Sequence, residues 1–338
     1  MQEAYMKTEL NPDISKALSA IRGREITNVF LVACGGSLSI MHPGKYFLDR
    51  HSKALNSDVY NADEFIARSP LKLDKNALVI LCSQTGTTKE TAAAAEYARS
   101  KGAATIAMTL DSDSPLGRAA DHVVNYQASY TTGVPIDAAE SNYGVLYMLL
   151  AGLVNQTGDV DVVPSLLSSL SHLQPAIDKA QKVFAPMFDD YAPRLAKKDV
   201  IYTLASGANY GAAYSFSICV LMEMQWINSQ AIHADEYFHG PFEVTDEDAS
   251  FIVMVGLDET RRMEERARDF ALRFGSEKNV MVLDAQNLDL SGIDEAFRGY
   301  LVPLVFFDTL WRFAYRIANL RNQPMLEGRR YMKKISDY

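Results

Sequence analysis

Four stretches of the chain hold side chains able to bind or transfer charge. "CGGS" (34–37) and "SQTGTTKET" (83–91) put glycines and hydroxyls where apolar runs give way to helical sequence. Gly35 and Gly36 let a ligand come close to the main chain. Ser37, Ser83, Thr85 and Thr88 offer neutral donors, and Gln84 an amide donor. Two uses are open to such groups at a helix start. Thr87 or Thr88 can cap the helix. Together with the unpaired N–H groups of the helix N-terminus, the set can also hold a phosphate monoester without a lysine clamp. The chain has neither a Walker lysine loop nor a G-x-G-x-x-G fingerprint, which argues against a nucleotide or dinucleotide.

The other two stretches carry acid–base groups. "SFSICVLMEMQWI" (215–227) holds a single charge, Glu223. A carboxylate in apolar company carries a desolvation cost unless it is paired or used. Glu223 is therefore either a general base or the polar stripe of a helix, with an interface anchor as a further use. "AIHADEYFHGPFEV" (231–244) clusters His233, Asp235, Glu236 and His239. The spacing is not H-E-x-x-H, and Gly240–Pro241 ends any helix that would face the ligands one way, so no metal is expected. His239, followed by Gly–Pro, reads as a rigidly held loop histidine able to exchange a proton. His233 reads as a surface or core histidine.

The elements that must position these groups alternate. "NVFLVA" (28–33), "ALVILC" (77–82), "ATIAMT" (104–109) and "HVVNY" (122–126) read as strands of a parallel sheet. Helices are expected over about 38–51, over "TAAAAEYARSKG" and over 141–156. Residues 158–197 place Pro164, Pro175, Pro186 and Pro193 between helical pieces and read as a connector. The rhythm then restarts with strands over 199–206, 250–256 and 279–285, a long apolar helix over 212–227 and a charged one after Asp258. The fold class is α/β: two tandem doubly wound domains, each a mainly parallel sheet flanked by helices. The expected boundaries are 15–157, a connector over 158–197, a second domain over 198–320 and a tail over 321–338. "FLVACGGS" and "YTLASGANYG" occupy the same place, as do "VILCSQTGTTKET" and "IVMVGLDETRRME", so the halves look duplicated. The second copy carries Asp258 and Glu259 where the first has hydroxyls, and carboxylates repel a phosphate. An anion site belongs to the first half.

Composition limits the rest. A formal net charge of -9 without a Lys/Arg cluster makes the chain a poor candidate for nucleic-acid binding, so no nucleic acid is expected as a partner. Cys34, Cys82 and Cys219 form neither a disulfide framework nor a zinc spacing, which fits a reducing compartment. No apolar signal core or membrane-length run is present, so a cytoplasmic protein away from membranes is expected.

Taken together, "VACGGS", "SQTGTTKET", "ASGANYG", "LMEMQWI", "EYFHGPFE" and the terminal "RRYM-x-K" resemble the sugar isomerase (SIS) domain superfamily. Within it they are most similar to the fructosamine and fructoselysine-6-phosphate deglycases, relatives of the isomerase part of glucosamine-6-phosphate synthase. The resemblance implies that Gly35, Gly36, Ser37, Ser83, Gln84, Thr85 and Thr88 bind the phosphosugar. It implies Glu223 as the catalytic base and His239, 16 positions later, as the ring-opening histidine. His239 would be contributed across the interface of a homodimer or larger assembly, and no cofactor is implied. Three positions depart from the pattern. Asp235 stands where glycine is usual, Thr85 where serine is common, and Arg329 where the synthase has a tail lysine. Arginine does not serve as a neutral base, which favours an electrostatic role for the tail.

The activity implied is cleavage of a ketosamine 6-phosphate, such as fructoselysine 6-phosphate, to an aldose 6-phosphate and a free amine. Met1–Gln2–Glu3 offers no cysteine nucleophile and no glutamine-hydrolysing domain precedes residue 28, so release of an amine is expected rather than its installation. Alternatives are a deglycase for the isomeric glucosamine-type (Heyns) adduct, a plain aldose–ketose phosphate isomerase, and a non-catalytic sugar-phosphate sensor.

Overall fold

The computed structural model describes residues 7–128, 136–332, 334 and 335. The opening Met1–Gln2–Glu3 and, within the tail, Lys333 and 336–338 lie outside the described residues. The chain forms two compact units, Met1–Gln174 with Gly292–Phe297 and Pro175–Ser291 with Arg298–Tyr338.

In the first unit, strands β1 (Asn28–Ala33), β2 (Asn56–Asn61), β3 (Ala77–Cys82), β4 (Ala104–Thr109) and β5 (His122–Asn125) form a parallel sheet of order β2-β1-β3-β4-β5. The helices are α1 (Pro12–Ile21), α2 (Gly35–Ser39), α3 (Met41–His51), α4 (Ala62–Arg68), α5 (Lys89–Ser100), α6 (Pro115–Ala119), α7 (Asn142–Thr157) and α8 (Val163–Leu170). Central β3 is buried at every residue, as a strand covered on both faces must be. Ala94, Ala95 and Ala98 of α5 pack with Val79 and Leu81, since small side chains let a helix lie close to a sheet.

The second unit repeats the plan. Strands β6 (Val200–Ala205), β7 (Asn228–His233), β8 (Phe251–Val255) and β9 (Val280–Asp284) pair in parallel in the order β7-β6-β8-β9. β6 therefore matches β1, and β8 matches β3, as the paired sequence stretches suggest. The helices are α9 (Leu173–Leu195), α10 (Asn209–Ser215), α11 (Arg261–Phe274) and α12 (Glu295–Arg321).

Four expectations change. Two strands were not expected: β2 ("NSDVYN") and β7 ("NSQAIH") lie at sheet edges and are half-exposed, so neither carries the apolar run that marks a buried strand. The "AIH" that opens the histidine cluster forms the end of β7. The helix expected over 38–51 is two, α2 and α3, meeting at Ile40. Pro186 and Pro193 sit inside α9 instead of dividing it. There Phe184 packs on Phe306 and Phe188 on Phe313, and this burial outweighs the two missing N–H donors. Finally, the helix over 212–227 is α-helical only through Ser215; Phe216–Met224 is a π-helix.

Candidate active site

In the first unit both glycine–hydroxyl stretches stand at the carboxyl ends of neighbouring strands, β1 and β3, where open parallel sheets bind ligands. Gly35 opens α2 with φ 54°. Ser37 shares a hydrogen bond with Cys82, the last residue of β3, whose thiol burial pushes up to about 11. Ser83 Oγ and Thr88 Oγ1 lie 3.0 Å apart, and Thr85 Oγ1 and Thr87 Oγ1 2.7 Å apart. The main-chain carbonyl of Gln84 accepts from Leu110 N at 3.0 Å, which ties the loop to the next strand end. Gly86 turns the loop at φ 64°, and a Cβ there would come within 1.9 Å of Ser114 Oγ, so no other residue fits.

Thr88 holds the N-cap position of α5 yet makes no side-chain cap bond. Its hydroxyl pairs with Ser83 instead. Simple capping by Thr88 is therefore not what the loop does; the helix start keeps N–H groups that no cap side chain from Thr88 consumes.

The corresponding strand ends of the second unit are already filled by its own carboxylates. Asp258 accepts from Ala208 N at 2.9 Å and Thr260 N at 2.8 Å. Glu264, fully buried on α11, accepts from Ser206 N at 2.9 Å and Gly256 N at 2.6 Å. Burial drives the Glu264 carboxyl up to about 7 against the pull of those N–H groups, and the charge of Asp258 adds to the rise. Sequence reading missed Glu264, because "RRMEERARD" offers several carboxylates and nothing in it says which one turns inward.

Glu223 sits near the end of the π-helix. Gln225 N bonds back five residues to Val220 O at 3.1 Å, the widened π turn. Such turns are rare and gather at functional sites. The helix is anchored beneath by Ser217, which bonds Thr203 Oγ1 at 2.8 Å and Ser229 Oγ at 3.0 Å. Arg329 donates Nη1 to Glu223 Oε1 at 3.0 Å, and each side chain is 20% exposed. The single charge of the apolar helix is thus paired. The tail is pinned to the helix end by two amides: Gln225 Nε2 donates to Gln323 O at 3.1 Å, and Gln323 Nε2 to Met224 O at 3.2 Å. Glu223, Trp226 and Arg329 to Met332 line a cavity of about 480 Å³.

His239 follows a 3-10 turn, Glu236–Phe238, and is exposed; it does not line the Glu223 cavity of its own chain. Asp235 lies 3.8 Å from Arg266, whose guanidinium stands 3.8 Å over Phe238, so a partner answers its charge. Among the described residues, no group of three or more His, Cys, Asp or Glu could hold a metal ion, and no helix is long and apolar enough to cross a membrane.

Two parallel sheets of matching order, with hydroxyl loops at the strand ends of the first, define a doubly wound α/β protein built from two repeated halves. A model of the SIS domain matches residues 24–153. The chain belongs to the SIS-domain family. It is 48% identical to the fructosamine deglycase FrlB of Bacillus subtilis (strain 168), over 99% of both chains. It is 27% identical to the fructoselysine 6-phosphate deglycase of Escherichia coli (strain K12), over 93% of this chain and 88% of that one. A crystal structure of a Bacillus subtilis phosphosugar-isomerase candidate superposes with a TM-score of 0.93 at 47% identity, covering 99% of this chain and 100% of that one.

Proposed function

We propose that the protein is a deglycase for ketosamine 6-phosphates, of which fructoselysine 6-phosphate is one form. The observation that carries the reading is Glu223: a carboxylate on a π-helix, paired with a tail arginine, facing a cavity. The resemblance to deglycases over the whole chain supports it.

The reading assigns phosphate recognition to Gly35, Gly36, Ser37, Ser83, Gln84, Thr85 and Thr88, and proton transfer to Glu223. Glu223 takes a proton from C1 of the open-chain ketosamine and returns it at C2. The C2 carbonyl becomes a hydroxyl and the C1–N bond an imine. Water adds at C1, the C–N bond breaks, and an aldose 6-phosphate and a free amine leave. One carboxylate serves as base and then acid because the same proton is carried between adjacent carbons. The reading assigns ring opening to His239, supplied by a partner subunit of a homodimer or larger assembly. The exposure of His239 outside its own chain's Glu223 cavity favours that arrangement.

Glu223→Gln keeps the shape and removes the base. It should bind a sugar phosphate yet lose amine release from fructoselysine 6-phosphate. Release at the native rate would sink the assignment. Parallel assays with the glucosamine-type adduct and with fructose 6-phosphate separate the deglycase from a Heyns-type enzyme and from a plain isomerase.

A further inference from the structure

Trp226 closes the π-helix in an unusual way. Its backbone is left-handed, with φ 56°, in the position after a helix where glycine is the default. For a bulky aromatic residue this is a real outlier, and such strain gathers where a side chain must be held in place. Trp226 is 41% exposed and lines the cavity that Glu223 faces. Over its ring, 3.7 Å from the centroid, lies the guanidinium of Arg330.

Arg329 and Arg330 are adjacent but differently engaged. Arg329 gives Nη1 to Glu223 and Nε to Leu326 O at 2.7 Å. Among the described residues, Arg330 pairs with no carboxylate and stays exposed. Of the described residues that line the cavity, Glu223, Arg329 and Arg330 are charged, which leaves a formal +1 in a chain of formal net charge -9. A guanidinium held over an aromatic ring by cation–π attraction leaves its N–H donors for a further partner, and its planar fork grips a carboxylate with two bonds.

The proposed chemistry places such a carboxylate nearby. The departing nitrogen is bonded to C1, the atom from which Glu223 takes its proton. In an adduct made through an α-amine, only that nitrogen and one carbon separate C1 from the amino acid's carboxylate. Glu223 would repel that group, and the Glu223–Arg329 pair is formally neutral. We propose that Arg330, clamped on Trp226, binds the carboxylate of the substrate's amino-acid part and so selects amino-acid adducts over adducts of neutral amines. The inference rests on the deglycase reading and on Glu223 acting at C1.

The test compares the 6-phosphorylated fructosamine adducts of glycine and of glycinamide, which match in size and differ in charge. Both contain the same phosphate, so an effect of Arg330 on the phosphate would lower both alike. The wild-type chain should favour the glycine adduct in kcat/KM by roughly tenfold to a hundredfold, the worth of a charge-assisted contact. Arg330→Met should bring the ratio to about one, and Arg330→Lys should restore part of it. A ratio unchanged by Arg330→Met overturns the proposal, as does an equal fall for both adducts. If the wild-type chain releases amine from neither glycine-type adduct nor from fructoselysine 6-phosphate, the deglycase reading fails and takes this inference with it; release from fructoselysine 6-phosphate alone, or from both glycine-type adducts with no preference, overturns Arg330 alone.

Discussion

Glu264 offers a sharp physical test, because two opposing forces act on one buried carboxyl. Burial and Asp258 favour the neutral acid; the N–H groups of Ser206 and Gly256 and the amide of Asn209 favour the carboxylate. Burial prevails and lifts the group from its ordinary 4.5 to about 7. The folded chain then holds this proton more tightly than the unfolded chain. Its contribution to stability is complete below about pH 4.5, declines as pH rises toward 7, and is lost above that. A shift of this size corresponds to roughly 3 kcal/mol. Glu264→Gln removes the titration and keeps the shape. It also sets an NH₂ against a backbone donor, at a pH-independent cost of about 1–3 kcal/mol. Urea unfolding followed by tryptophan fluorescence reads the correct unit, since Trp226 and Trp311 both lie in the second. The stability of the wild-type chain relative to the variant should fall by roughly 3 kcal/mol between pH 4.5 and 8. A difference that stays constant would refute the argument. One that grows with pH would show that the N–H groups outweigh burial.

The first unit yields two further predictions. On the proposed assignment of Ser83 and Thr88 to the phosphate, Ser83→Ala with Thr88→Val removes two hydroxyl contacts and should raise KM for the phosphosugar about tenfold with little change in kcat; an unchanged KM in steady-state assays would mean that the hydroxyls face elsewhere. Gly86→Ala sets a Cβ against Ser114 at a left-handed φ and should destabilise the fold by about 2–4 kcal/mol, read as a lower thermal midpoint or as lost soluble protein. A midpoint within a degree of wild type would contradict the packing at that turn.

Much of the fold was legible because its signals are local. Buried strands such as β3 are apolar runs, and "TAAAAEYARS" has helix propensity and a small-residue face. β2 and β7 escaped notice because an edge strand is recognised by what it pairs with rather than by its own composition. The proline-bearing α9 escaped because phenylalanine packing supplied by distant α12 outweighs a local penalty. At the candidate site, Glu223 stood out as a lone charge in an apolar stretch. Trp226 and Arg330 carried no such mark: one looks like helix core and the other like a basic tail.

By itself the sequence determined the class of fold, its duplication, the hydroxyl loops at the first unit's strand ends, and the identity of Glu223 and His239 as candidates for proton transfer. These are matters of residue type and short spacing. Tertiary structure alone decided that Thr88 turns to Ser83 instead of capping its helix, and that Asp258 and Glu264 fill the donors the second unit would otherwise offer. It also decided that Arg329 meets Glu223 from 106 residues away. Each of these is a choice between partners of similar local merit. The energy that settles it comes from contacts between segments far apart in the chain, which no window of sequence contains.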